Sequence, residues 1–102
     1  MKYFKIKGFP QYRINLWGEV ITNFNRDKWE ELKPSRKDDG TRNRYYWMVG
    51  YSKVKCVRAD ELVLQTFNSK YNKEDYYIVH RDNDYSNNAY FNLTIKRKPN
   101  YK

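Results

Sequence analysis

The sequence predicts an α+β fold made of small antiparallel β-hairpins with one covering helix. Three observations carry this expectation. Short runs of alternating apolar and polar residues recur along the chain, bounded by Gly, Pro, Asn or Asp. The segment 58–68 has apolar residues at helical spacing. The length, 102 residues, allows one modest core and not two.

Each element follows in chain order. Gly8 and Pro10 break the first segment, after which Tyr12, Ile14 and Leu16 alternate with Arg13 and Asn15. Asn15-Leu16-Trp17-Gly18 reads as a turn, with Gly18 suited to positive φ, and Val20, Thr22 and Phe24 share one face of the returning strand. Together they predict a hairpin. Trp29 and Leu32 anchor a short strand or helical turn that Pro34 ends. Residues 35–44 form a polar loop with a turn at Asp38-Asp39-Gly40 and the cations Arg36, Lys37, Arg42 and Arg44. That loop is either simply solvated or a phosphate-contacting arm, and the second is slightly favoured.

Residues 45–57 predict two strands around a turn at 50–53. In the helix, Leu62, Val63 and Phe67 form the apolar stripe with Ala59 at its other end, and Asp60 and Glu61 sit where the helix dipole favours negative charge. This stripe reads as core. After a polar loop, Tyr76–Arg81 is an apolar strand that ends at His80. An Asn/Asp-rich loop and the alternating run Asn92–Arg97 follow, then a basic tail expected to fray.

Twenty-one Lys and Arg stand against 12 Asp and Glu, a formal charge of +9 that favours an anionic partner, most often nucleic acid. Eleven Tyr, five Phe and three Trp are far more than a disordered basic tail carries, so a folded domain with basic and aromatic faces is expected. No run has signal-peptide character or approaches the roughly 20 apolar residues of a spanning helix, which predicts a cytoplasmic protein without a membrane partner. Cys56 is the sole cysteine, which excludes an internal disulfide and a multi-cysteine zinc site. Its place in Val54–Arg58 predicts a buried structural thiol.

His80, the only histidine, lies in IVHRDNDYSNNAYFNL, residues 78–93. A lone His on an apolar strand reads as structural; one in so dense an Asp/Asn setting reads equally as a base. Asp82 and Asp84 form a D-x-D pair that fits a weak cation site or a pair of Asx turns.

Four pieces in order resemble the HNH homing endonucleases of phages and introns. In the first, Gly8, Phe9, Tyr12, Ile14, Asn15, Gly18 and Val20 match the hairpin of that family's small DNA-binding module. ELKPSRKDDG and RADELVLQTF are similar to its next two stretches. His80, Asp82, Asp84, Asn87, Asn88, Asn92 and Leu93 match the nuclease core. The resemblance covers about residues 5 to 95. It implies one domain over 1–102, with a hairpin module at 1–34 and an HNH-like core at 43–97. It also implies a ββα-metal (His-Me finger) motif with His80 as general base and Asn88 orienting it. Mg²⁺ or another divalent cation would stabilise charge on the phosphate, with a cation-free protein as the alternative.

The chain departs from that pattern in four places. Val79 stands where relatives often carry a metal-binding Asp, and Arg58 where they often have a His. Asn83 replaces a customary Gly, although Asn tolerates left-handed geometry. Residues 98–102 are too short for the family's two-turn helix, Pro99 hinders one, and Asn100 is the remaining amide candidate. The motif is therefore expected to be incomplete, truncated and degenerate, with His80 and Asp82 as weak metal ligands.

Three functions compete. The first is a double-stranded DNA-binding protein with weak or lost nuclease activity. It would contact DNA through Arg13, Arg36, Lys37, Arg42, Arg44, Lys53, Lys55, Lys96, Arg97 and Lys98. The second is an active metal-dependent endonuclease or nickase. The third is a small phage-type protein that binds and inhibits a host protein in the host cytoplasm, with anchors among Tyr45, Tyr46, Trp47, Tyr51, Tyr76 and Tyr77. The first is the favoured expectation.

Overall fold

The computed structural model describes residues 1–24, 27–36, 43–51 and 53–99. Its first sheet is a four-stranded antiparallel meander: β1 (Phe4–Ile6), β2 (Phe9–Ile14), β3 (Val20–Thr22) and β4 (Glu30–Leu32). Gly8 turns the chain at φ +84°, and β2 begins at Phe9, earlier than the alternation from Tyr12 suggested. Pro10 is therefore inside the strand. The expected hairpin is present, with Tyr12 opposite Thr22 and Ile14 opposite Val20.

The second sheet orders β5 (Ser35–Arg36), β6 (Arg44–Val49) and β7 (Val54–Arg58). The stretch expected as a polar loop is thus partly a sheet edge: Ser35 faces Tyr45 and Arg36 faces Arg44. Two residues are too few to show any periodicity, so this ladder left no pattern to read. Lys37, Arg42 and the turn at 38–40 lie outside the described residues, as does Asn100. Cys56 is half-buried on β7 and not fully enclosed as expected.

Helix α1 (Ala59–Phe67) follows β7 directly. Its N-cap Arg58 supplies no capping side chain, and Asp60 Oδ1 accepts from the Glu61 N–H at 2.7 Å instead. At the other end the Asn68 N–H donates to the Leu64 carbonyl. Leu62, Val63 and Leu64 are all buried, so the helix is enclosed on more than the single predicted stripe. The third sheet is the hairpin of β8 (Tyr76–His80) and β9 (Leu93–Arg97), with His80 opposite Leu93. A short 3-10 helix at Tyr90–Asn92 precedes β9.

One core joins the three layers. Tyr12, Ile14 and Val20 from the first sheet meet Met48 and Val57 from the second, the helix leucines, and Leu93 from β9. Alternate residues on β2 and β6 point inward, as a half-buried strand requires. No helix among the described residues is long and apolar enough to cross a membrane.

Candidate functional site

His80 ends β8 with its ring almost wholly enclosed. Its Nε2 lies 3.1 Å from Asn88 Oδ1 and 3.7 Å from Asp60 Oδ2. Asn88 Oδ1 is a hydrogen-bond acceptor, so the tautomer with the proton on Nε2 satisfies this contact, while Asp60 Oδ2 lies beyond hydrogen-bond range. In the neutral ring Nδ1 is then a lone pair. It is buried and has no hydrogen-bond partner among the described residues. The Tyr85 ring packs against the imidazole edge-to-face, with centroids 4.9 Å apart. Asn88 is thus within hydrogen-bond reach of the ring.

Asp60 is the residue that the sequence reading missed as part of this site. It has no exposed surface, and a carboxylate so placed must be paired or it would unfold the helix end. Arg58 supplies the pair: its Nε donates to Oδ1 at 2.9 Å and its Nη2 to Oδ2 at 2.7 Å. Asn43 adds a hydrogen bond to Oδ2 at 2.9 Å. The bonds to Asp60 also hold the Arg58 guanidinium above its ordinary, already high pKa. A signal was available: Asp60 shares the i, i+3, i+4, i+7 stripe with Val63, Leu64 and Phe67, which places an acid on the apolar face. Its role at the start of the helix is real but secondary.

Asp82 has a different place. It is exposed, and its carboxylate accepts from Asn87 Nδ2, Asn92 Nδ2 and the Asp84 N–H. The Asn87 bond, with those of Asp84 and Asn92, lowers its pKa below the ordinary carboxylate value. Asp84 in turn accepts from the Ser86 N–H. Both acids therefore build Asx turns, and Asn83 takes the left-handed conformation at φ +61°.

The described residues do not fit a divalent cation. A hard ion such as Mg²⁺ needs oxygens free to face it. Both oxygens of Asp60 already accept from two donors each, one of them a guanidinium. Val79 offers no donor atom. Among the described residues no cluster of three or more His, Cys, Asp or Glu side chains is placed to hold a metal.

The first sheet is fastened to this motif. The Tyr90 N–H donates to the Leu16 carbonyl at 2.8 Å, and the Tyr46 hydroxyl donates to the Gly18 carbonyl at 3.0 Å. Burial raises the Tyr46 pKa to about 12, so it remains a donor. Gly18, at φ +83°, takes a conformation that strains any side chain, and a Cβ there would come within 3.1 Å of the Asn88 carbonyl.

The expected DNA-contacting cations are spread over all three sheets. Arg13 on β2 lies over the Trp29 ring at 4.4 Å. Arg36 and Arg44 are on the paired edge of the second sheet, with Lys53 and Lys55 exposed at and after its turn. Lys96 and Arg97 end β9, and Lys98 reaches the Lys73 carbonyl. Among the expected aromatic anchors, Tyr45 and Tyr46 are core, while Trp47 and Tyr51 are exposed.

No family model and no curated protein sequence matches the chain. A solved structure does match: that of DNA binding and cleavage by the HNH homing endonuclease I-HmuI, with 26% identity and a TM-score of 0.76. The likeness covers 94% of this chain and 52% of that one, so the chain spans about half the length of that protein. In fold, this α+β chain is similar to an HNH homing endonuclease.

Proposed function

We propose that this chain is a DNA-binding protein, a single domain with an HNH-type core whose nuclease activity is weak or lost. The observation that carries the reading is the likeness, across 94% of the chain, to a protein that binds and cleaves DNA. A charge of +9 supports it. Arg13, Arg36, Lys37, Arg42, Arg44, Lys53, Lys55, Lys96, Arg97 and Lys98 neutralise phosphates, and each neutralised phosphate releases counterions. Loss of activity follows from the occupied oxygens of Asp60, the apolar Val79 and the cover that Tyr85 places on His80.

Titration of a duplex at rising salt tests the reading. Log affinity falls linearly with log salt, and replacing one phosphate-contacting Lys or Arg reduces the slope by about 1. Affinity that ignores salt overturns it. Supercoiled plasmid stays intact in Mg²⁺ or Mn²⁺, and calorimetry with Mn²⁺ shows no binding that depends on His80.

A second reading, an active nickase, is favoured by the acceptor lone pair at Nδ1 opposite an anchored Nε2, the arrangement a general base needs. Open circles that vanish in His80→Ala would establish it. A third, capture of a host protein, is favoured by Trp47, Val49 and Val54 exposed on the second sheet. A partner retained after nuclease treatment of a host lysate would support that one.

A further inference from the structure

A cleft of about 250 Å³ lies between the hairpin tip and the loop that carries Asn88. Trp17, Glu19, Glu31, Leu32, Arg44 and Asn88 are among the residues that line it. Trp17 is 54% exposed, and Phe91, 60% exposed, stands against it with ring centroids 5.5 Å apart. Large rings left in water side by side need an explanation, because their burial elsewhere would stabilise the fold.

The lining chemistry is selective. In a chain of charge +9, this cleft has two carboxylates and one guanidinium. Two carboxylates repel phosphate. They accept hydrogen bonds from amines, as Asp and Glu do from the N4 amine of cytosine. Glu31 and Arg44 make no ion pair among the described residues, so both are free to meet a ligand. The volume lies below the roughly 300–1,000 Å³ of drug-sized sites, which suits one planar group. Aromatic faces stack on any base that is not already stacked on both sides.

We propose that this cleft takes one unpaired nucleobase with an exocyclic amine, stacked against Trp17, which Phe91 braces edge-on from outside the cleft, beside the His80 site. The inference rests on the DNA-binding reading and narrows it: the favoured substrate is DNA with a locally unpaired base. Arg44 donates to a base carbonyl, and Glu31 accepts from the amine.

Fluorescence anisotropy with the full chain tests this on four duplexes that differ at one site: fully paired, one unpaired cytosine, one unpaired thymine, and an abasic residue. The unpaired cytosine binds on the order of tenfold tighter than the paired duplex, as one stacked base contributes. The abasic duplex loses that gain, and thymine retains only part of it. Trp17→Ala and Phe91→Ala each shrink the cytosine-to-paired ratio, and Glu31→Gln shrinks the cytosine-to-thymine ratio. These are ratios within one variant, so a general loss of stability does not mimic them. Equal affinity for all four duplexes, or a preference that survives Trp17→Ala and Phe91→Ala, overturns the inference and leaves DNA binding standing. Binding to none of the four overturns both.

Discussion

Two aspartates flank the same histidine and do opposite jobs. Asp82 is two residues from His80 in the chain, yet it lies in water and organises its own loop. Asp60 is twenty residues away in sequence, yet its carboxylate is 3.7 Å from the ring. The exposed carboxylate needs no partner and gathers amides that shape a turn. The buried one exists only because Arg58, Asn43 and the Glu61 N–H compensate it. Distance along the chain therefore says little about which acid governs the imidazole; burial and compensation decide it.

Removing each acid sharpens this contrast. Asp60→Ala leaves Arg58, Asn43 and His80 facing a gap. Loss of one partner from a buried pair costs about 3–5 kcal/mol, and Arg58 keeps 38% of its side chain in water, so the lower end, about 3 kcal/mol, is expected. For a domain near 100 residues that is a Tm drop on the order of 15 °C by calorimetry. Asp82→Ala lowers the Tm far less; an equal drop would break the comparison.

Gly18→Ala comes next. It forces a left-handed residue with a side chain against the Asn88 carbonyl, a loss of about 2 kcal/mol in denaturant unfolding. Its effect also reaches the His80–Asn88 bond, which NMR shifts of the ring report. The smallest effect is the titration of Asp82. Its folded pKa is below the unfolded value, so its contribution is full above the unfolded value and is lost as pH falls through the folded one. Carboxyl NMR should show Asp82 titrating below the ordinary aspartate value, and Asn87→Ala should bring it back up.

Much of the architecture was legible because alternation reports half-buried strands directly. Tyr12 and Ile14, Ile78 and His80, and Leu93 and Ile95 all lie in strands where the pattern placed them. The turn at Gly18 and the left-handed Asn83 were legible from backbone chemistry. The β5 ladder and the 3-10 helix at Tyr90–Asn92 were not, since two or three residues hold no period. Asn88 was singled out only through the resemblance to the HNH core. Asp60 was overlooked because an acid in a first helical turn has a ready surface explanation, and its phase with Val63 and Leu64 had to be weighed against that. Which cations exist was plain from the sequence; that they divide among three sheets required the fold.

The contact between Gly18 and Asn88 has a mechanical consequence. With no side chain to spare between them, the amino-terminal hairpin and the histidine loop are butted together like parts of a jig. Under the DNA-binding proposal, a strand held by the first would reach the second at a set offset.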